Sequence, residues 1–231
     1  LVRDIFDEAL PGNDDRLLTF LVLGLIAILE EIPVGTLWLG AGRDENGLFR
    51  RMRDAARKAD VRVSVLRPGD IVSWRDARLT VLHSGGRARK SDTVNNQSLV
   101  AVFEREGRSA LLTGDAGAPT ERDLEARGRL VQADLLKVGH HGSRTSTTPY
   151  LLAAVQPRVA LLSCGRENRF GHPAPSVLAN LAAYGVRVFR TDRLSDVRVE
   201  LAQNRDDPLG IALPVGPHSL VDVVTGKRQL H

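Results

Sequence analysis

The sequence has a single cysteine, Cys164, among its 231 residues. One thiol cannot form an internal disulfide, so a secreted disulfide scaffold is excluded. A zinc site built on a pair of cysteines is excluded as well. Long apolar runs are also missing, because the most apolar stretch, Phe20–Leu29, is about half the length that a membrane-spanning helix requires. The N-terminus lacks the basic segment followed by an apolar segment that is typical of a signal peptide.

Lysine is scarce as well, since it supplies only four of the 32 basic residues and arginine supplies the rest. Such a bias usually reflects genome composition more than function. The remaining composition, 42% hydrophobic and 26% charged, is that of a soluble globular protein. The net charge of +4 is compatible with a polyanionic partner such as nucleic acid, although it does not demonstrate one.

Apolar runs of strand length alternate with helical patterns along the chain. Residues 70–83 and 97–113 each predict a β-hairpin, and residues 119–128, 148–155 and 176–184 predict helices. Hairpins mixed with helices favour a layered α/β (α+β) fold over a doubly wound parallel sheet. No linker or internal repeat divides the chain, so we predict one domain that spans residues 1–231.

The most informative segment is residues 133–143, with the sequence ADLLKVGHHGS. An apolar strand ends there in two adjacent histidines between glycines, and strand ends are where α/β folds place reactive groups. Paired imidazoles in such a turn are suited to metal coordination or to contact with an anion. A pair of surface histidines in an ordinary loop is an equally good interpretation of this segment alone.

Three further segments place polar residues beside apolar strands. The sequence SALLTGD (109–115) ends a strand in Asp115, RFGHPAP (169–175) holds His172 between glycine and proline, and DTVNNQSL (92–99) precedes a strand. A carboxylate after a strand can bridge divalent ions, and a rigidly held histidine is suited to catalysis or phosphate contact. Taken alone, Asp115 is more readily explained as a turn residue and His172 as a structural histidine, and residues 92–99 could simply form a turn that hydrogen-bonds its own backbone.

Together and in this order, the segments resemble a known family. The matching residues are VNNQSLV (94–100), LLTGD (111–115), LLKVGHHGS (135–143) and FGHPAP (170–175). The chain resembles the metallo-β-lactamase-like domain at the C-terminal end of ComEC-type competence proteins, which internalise DNA. The resemblance covers roughly residues 18–192.

The resemblance implies a four-layer αββα sandwich with two divalent metal ions, Mn²⁺ or Zn²⁺, at one edge. It implies that Asp115 bridges the metals and that His141 is a ligand while His140 faces the substrate phosphate, although these two histidines could be reversed. It also implies catalytic roles for His172, Asn96 and Ser98, and substrate contacts for Ser143 and Lys137. No small-molecule cofactor is expected.

The implied activity is metal-dependent hydrolysis of phosphodiester bonds, which degrades one strand of incoming DNA during natural transformation. The implied partners are single-stranded DNA and a membrane channel in the same polypeptide. We therefore expect a soluble domain of a larger bacterial inner-membrane protein, on its extracytoplasmic side. Two alternatives remain, a metal-free module that binds DNA or the channel, and a stand-alone hydrolase of small phosphodiesters.

The sequence departs from the family where most metal ligands belong. Proteins with this fold carry the motif His-x-His-x-Asp-His after an early strand, and here no histidine precedes His83. Either the chain is a metal-free relative, or the sequence joins the flanks of a missing loop at Leu23–Gly24, with another loop missing after Asp192. We favour the missing loop, because a decayed site would not be expected to keep Asp115 and the histidines.

Overall fold

A computed structural model describes residues 34–41, 47–85, 94–194, 197–200, 210–214, 219–222 and 228–230. The strand predicted at residues 18–23, the junction at Leu23–Gly24 and the apolar stretch Phe20–Leu29 lie outside the described residues. The described chain opens with β1 (Thr36–Gly40), α1 (Leu48–Lys58) and β2 (Arg62–Leu66). The two strands are parallel, and α1 connects them.

Seven strands form the main sheet, in the order in which they occur in the chain. They are β3 (Ile71–Trp74), β4 (Ala77–Ser84), β5 (Leu99–Arg105), β6 (Arg108–Leu112), β7 (Leu135–Lys137), β8 (Val159–Leu162) and β9 (Arg187–Arg190). Strands β3 to β6 are antiparallel to their neighbours, which confirms the two predicted hairpins. Strands β6 to β9 run parallel, because helices cross over between them.

Three helices cover one face of the main sheet, namely α2 (Ala118–Ala126), α3 (Pro149–Val155) and α4 (Pro175–Ala183). Leucines from all three helices are almost completely buried in the same cluster as residues of the central strands. Each helix has proline in its first turn, where the missing N–H has no intrahelical partner to lose. The principal core is therefore the layer between these helices and the sheet.

The opposite face of the main sheet is turned toward β1 and β2. The indole of Trp38 on β1 lies 5.8 Å from that of Trp74 on β3, which in turn lies 5.8 Å from the ring of Phe103 on β5. On the far side of β1 and β2, Ala56 of α1 is buried with Val61. The layers run helix, sheet, sheet, helix, which agrees with the predicted αββα sandwich.

The chain continues into α5 (Thr191–Leu194) and four short strands, β10 (Arg198–Glu200), β11 (Gly210–Pro214), β12 (Ser219–Asp222) and β13 (Arg228–Leu230). These four strands form a separate antiparallel sheet. The prediction of one domain over residues 1–231 stays a prediction.

The loops of interest gather at one edge of the main sheet. Strands β6, β7 and β8 all end there because they are parallel, and β5 begins there because it is antiparallel to β6. Three of the four segments singled out in the sequence directly flank these strand ends, and residues 169–175 reach the same edge after β8, where His172 lies beside His140. Their chemistry is therefore concentrated at a single edge of the fold.

Candidate functional site

The two adjacent histidines lie in a tight turn, Gly139–Gly142, that follows β7. Both have positive φ, 45° for His140 and 54° for His141, a conformation that costs a residue with a side chain about 1–3 kcal/mol. The N–H of His140 donates to the carbonyl of Gly114 at 3.2 Å, and its carbonyl accepts from the Ser143 N–H at 2.8 Å. The turn is thereby fixed to the loop after β6.

Asp115 and His141 face each other across this edge. Oδ1 of Asp115 lies 3.7 Å from Nε2 of His141, and the two side chains are 41% and 35% exposed. Nδ1 of His141 lies 2.8 Å from the carbonyl oxygen of Ser163, so this nitrogen carries the proton and donates. The lone pair of neutral His141 is therefore on Nε2, the atom that faces the carboxylate, and both groups remain open to a ligand.

Ser98 and Lys137 both lie close to Asp115. The backbone N–H of Asp115 donates to Oγ of Ser98 at 3.1 Å, which fixes the loop after β6 against the start of β5. Burial lowers the pKa of the Lys137 ammonium, and the negative charge of Asp115 opposes that shift. Lys137 therefore supplies a partly buried positive charge near Asp115.

His140 and His172 form the other half of the cluster. Nε2 of His140 lies 3.2 Å from Nδ2 of Asn95, so the amide donates to the imidazole, and the His140 and His172 rings are 5.9 Å apart. Burial lowers the pKa of both histidines, and for His172 the neighbouring imidazoles lower it further. Both rings are thus held in the neutral form at pH 7.

The loop that carries His172 is held by an asparagine. Oδ1 of Asn168 accepts from the backbone N–H of His172 at 2.9 Å, and Nδ2 of Asn168 donates to the His172 carbonyl at 2.7 Å. The ring of Phe170 stacks on that of His172 with a centroid distance of 5.8 Å. Nδ1 of His172 is buried without a hydrogen-bond partner in the described part of the chain.

Two residues predicted to line the site have other contacts. The backbone carbonyl of Asn96 accepts from Oγ1 of Thr120 at 3.3 Å, with Oδ1 of Asn96 at 3.5 Å from the same hydroxyl, while its neighbour Asn95 contacts His140. Oγ of Ser143 lies 3.1 Å from Oγ1 of Thr145, and Ser143 is only 7% exposed. The structure thus brings together Asp115, His141, Lys137, His140 and His172, with Asn95 added.

A match to a known family agrees with this geometry. The family model described as "Metallo-beta-lactamase superfamily" matches residues 22–166, which is more than half of the chain. The chain belongs to the metallo-β-lactamase superfamily. The predicted metallo-β-lactamase fold is therefore confirmed, and proteins of this superfamily are typically metal-dependent hydrolases.

Relatives within the superfamily agree with the motif resemblance. The chain is 36% identical to "ComE operon protein 3" of Bacillus subtilis over 62% of this chain and 18% of that protein. It is 35% identical to "Competence protein ComA" of Neisseria gonorrhoeae over 45% of this chain and 15% of that protein. The matched segments thus span less than a fifth of these relatives. The predicted resemblance to competence proteins of the ComEC type is confirmed.

Solved structures were also compared with the chain, and one of them is similar to part of it. It is that of CmlA, a diiron β-hydroxylase from Streptomyces venezuelae, which aligns with a TM-score of 0.45 and 15% identity over 71% of this chain and 39% of that chain.

Metallo-β-lactamase proteins generally bind divalent metals, so the donor set of this chain can be compared with that requirement. Asp115 and His141 are suitable ligands, because the Ser163 carbonyl orients the imidazole as the outer partners of metal sites do. Among the described residues, however, no three histidine, cysteine, aspartate or glutamate side chains are grouped so as to hold a metal ion. The described residues therefore do not fit a two-metal centre.

A buried glutamate on α2 supports the site loop and was not singled out from the sequence. Glu121 is 2% exposed, and its carboxylate accepts from the backbone N–H groups of Thr147 at 2.6 Å and Thr148 at 2.9 Å. These bonds fix the chain between the histidine turn and α3. Burial raises the pKa of Glu121, although the hydrogen bonds to Thr148 and Thr147 oppose that shift.

Replacing Glu121 with alanine should lower the free energy of unfolding by about 2–3 kcal/mol, because two buried N–H groups lose their acceptor. The folded protein binds the Glu121 proton more tightly than the unfolded chain does, so this group favours folding most at low pH and less as the pH rises through its raised pKa. The difference between wild type and Glu121→Ala in urea unfolding should therefore shrink from pH 4.5 to pH 7.5.

The matched control is Glu125→Ala, which removes an exposed carboxylate from the same helix. It should change the free energy of unfolding by less than about 0.5 kcal/mol. Equal effects of the two substitutions at every pH would contradict the role assigned to Glu121.

Proposed function

We propose that this chain binds the phosphodiester backbone of DNA during DNA uptake, at the sheet edge that carries Lys137, His140 and His172. The observation that supports this most directly is the gathering of an ammonium group and two imidazoles around the carboxylate of Asp115, with a third imidazole, that of His172, beside that of His140. A phosphate group accepts charge-assisted hydrogen bonds from such donors. Ser98 and Asn95 position the cluster, and Ser143 and Asn96 hold the flanking loops.

The biological setting comes from the relatives. One of them is named as a competence protein, and it is matched over 15% of its length. In our proposal the chain is a single domain at the C-terminal end of a larger bacterial inner-membrane protein, on its extracytoplasmic side. Its DNA would be a single strand presented by the channel part of the same polypeptide. In the described ranges, no helix is long and apolar enough to cross a membrane.

Metal-dependent cleavage of that strand is the second candidate function. It is favoured by one observation, the orientation of His141 by Ser163 so that Nε2 faces Asp115, which a site used only for phosphate would not require. Hydrolysis with two Mn²⁺ or Zn²⁺ ions needs further ligands, and the described residues do not supply them. Other members of the family carry these metal ligands in the His-x-His-x-Asp-His motif, which would be expected at Leu23–Gly24.

Lys137→Ala is the variant that tests binding. In EDTA, the affinity of the full chain for fluorescent oligothymidine, measured by anisotropy, should fall about tenfold, because one charged phosphate contact is lost. Asp115→Ala should tighten binding in EDTA, because it removes the negative charge nearest the phosphate. Arg187→Ala, an exposed arginine at the far edge of the sheet, is the control. Equal affinities of Lys137→Ala and Arg187→Ala would overturn the proposal.

Cleavage of the same oligothymidine in Mn²⁺ separates the two candidates. The binding function predicts no cleavage by the chain at its mass of 25.2 kDa. Inserting a His-x-His-x-Asp-His segment between Leu23 and Gly24 should then produce cleavage that EDTA and Asp115→Ala both abolish. Metal-dependent cleavage by the unaltered chain would favour the nuclease instead.

A further inference from the structure

A second basic surface lies on the other side of the sandwich, where α1 meets the start of β2. A cleft of about 530 Å³ opens there between the helix and the strand. Its lining residues are Gly35, Arg53, Arg57, Asp60, Val61, Arg62 and Val63. We call this region the arginine cleft. It contains three arginines against one aspartate, and it shares no residue with the cluster around Asp115.

The placement of these arginines on α1 is costly for the helix. Arg53 and Arg57 are four residues apart, so their guanidinium groups are neighbours on one helix face. Like charges at that spacing destabilise a helix by about 0.2–0.5 kcal/mol. Arg50, three residues before Arg53, adds a third positive charge to the same face. Helix stability therefore does not explain this concentration of positive charge on one face of α1.

In the described part of the chain, the acidic partner of Arg57 is weakly held. Arg57 forms an ion pair with Asp54 at 3.0 Å, but the two side chains are 77% and 51% exposed. Pairs this open to water contribute little energy, so the guanidinium can exchange Asp54 for a stronger anionic partner. Arg62 is exposed at the first position of β2. A phosphate that enters the cleft can thus meet arginines from both the helix and the strand.

We propose that the arginine cleft binds backbone phosphates of a nucleic acid strand, as a second contact surface separate from the cluster around Asp115. The planar guanidinium donates two parallel hydrogen bonds to one phosphate, which a lysine cannot do. This inference rests on the proposed function only in naming DNA as the strand. Two separated basic surfaces on one domain would direct the strand around the sandwich and not only to its edge.

A flat anionic membrane is a poorer match to this surface. A helix that lies on a bilayer presents an apolar face to lipid. In α1 the small apolar residues Ala55, Ala56 and Ala59 pack with Val61 and Val63 of the neighbouring strand region instead. The arginines also line a concavity, into which a strand of phosphates can project but a planar bilayer cannot.

The test is the double charge reversal Arg57→Glu/Arg62→Glu in the full chain. Oligothymidine affinity in EDTA should fall at least tenfold, and the slope of log affinity against log salt should become shallower by about 1–2, because one or two phosphate contacts are lost. The neutral pair Arg57→Gln/Arg62→Gln should show a smaller loss in the same direction. Arg158→Glu/Arg187→Glu, two exposed arginines on the main sheet, is the matched control.

The outcomes separate this inference from the proposed function. If Lys137→Ala weakens binding while the cleft reversal behaves like the control, the cleft proposal is overturned and the proposed function stands. If the reversal weakens binding and Lys137→Ala does not, the cleft proposal is supported alone. If the charge-reversed protein no longer binds vesicles of anionic phospholipid but keeps its oligothymidine affinity, the cleft proposal is overturned in favour of a membrane-binding surface. Urea unfolding of each variant establishes that the compared proteins are folded.

Discussion

Replacing Gly142 with alanine should lower the free energy of unfolding by about 2–5 kcal/mol and weaken binding of oligothymidine at the site. Gly142 has φ of 81°, which costs an alanine about 1–2 kcal/mol. A methyl group there would lie 2.8 Å from Cβ of Pro173 and 3.1 Å from Cδ1 of Leu162. Overpacking of this kind costs a further 1–3 kcal/mol or so.

The loss of binding follows from what Gly142 connects. Its carbonyl accepts from the N–H of Ala174 at 2.8 Å, so the histidine turn and the loop of His172 touch directly at this residue. An added methyl group must separate Pro173 from the turn, and His172 moves with Pro173 away from His140. Small displacements of this size are enough to disable a site built from several loops.

The matched control for strain is Gly185→Ala. Gly185 follows α4 with φ of 68°, and nothing lies within 4 Å of the position where its Cβ would be. This substitution should cost only about 1–2 kcal/mol and leave oligothymidine affinity unchanged, because it has the backbone strain without the clash. Urea unfolding and anisotropy measure both effects. Equal results for Gly142→Ala and Gly185→Ala would mean that the contact with Pro173 does not hold the site together.

The main sheet could be predicted from local patterns, because its strands alternate and its turns carry recognisable residues. The prediction of a hairpin at residues 70–83 is confirmed by β3 and β4, which pair around Arg75 and Asp76. Local patterns do not predict β11, which occupies Gly210–Pro214. Glycine and proline at its two ends are turn signals, and they concealed a short strand.

The candidate site could be predicted only as a set of segments. Strand ends carrying Asp115 and the two histidines meet because β6 and β7 are parallel neighbours, a pairing that the alternation of strand and helix already favours. The sequence could not distinguish Asn95 from Asn96, because one step along a 3-10 turn decides which amide reaches His140. It also could not show the bond from His141 to Ser163, which joins residues far apart in the chain.

The arginine cleft could not be predicted from the sequence, for a different reason. The helix of α1 is recognisable as amphipathic, but arginine is abundant throughout the chain, so no single arginine stands out. Only the packing of α1 against β2 places Arg53, Arg57 and Arg62 around one cavity. A surface that is formed by two elements cannot be predicted from the sequence pattern of either element alone.

Asp134→Ala should lower the free energy of unfolding by about 3–5 kcal/mol, because it removes the carboxylate that pairs with a buried guanidinium and accepts from a backbone N–H. The Arg108 guanidinium is 1% exposed and lies 3.3 Å from Oδ1 of Asp134, which is 21% exposed. The Asp134 carboxylate also accepts from the backbone N–H of Ser109 at 2.9 Å. Urea unfolding at pH 7 measures the loss.

Two variants show whether the loss comes from the buried pair. Asp123→Ala removes the partner of Arg127 in an ion pair whose side chains are 44% and 57% exposed, and it should cost less than about 1 kcal/mol. The double variant Arg108→Met/Asp134→Ala removes both charges and should recover part of the stability, because the buried guanidinium is removed together with the carboxylate that pairs with it. A cost for Asp134→Ala no larger than that for Asp123→Ala would contradict this account.

Asp134→Ala also distinguishes an effect on stability from an effect on DNA binding. Arg108 and Asp134 lie at the starts of the parallel strands β6 and β7, whereas Asp115 and His140 follow the ends of these strands. Asp134→Ala should therefore lower the free energy of unfolding without changing the oligothymidine affinity of the protein that remains folded. Gly142→Ala should change both, because it acts at the strand ends. Different effects of the two substitutions would place DNA binding at the edge where β6 and β7 end. They would place the contacts that stabilise the pairing of β6 with β7 at the opposite edge.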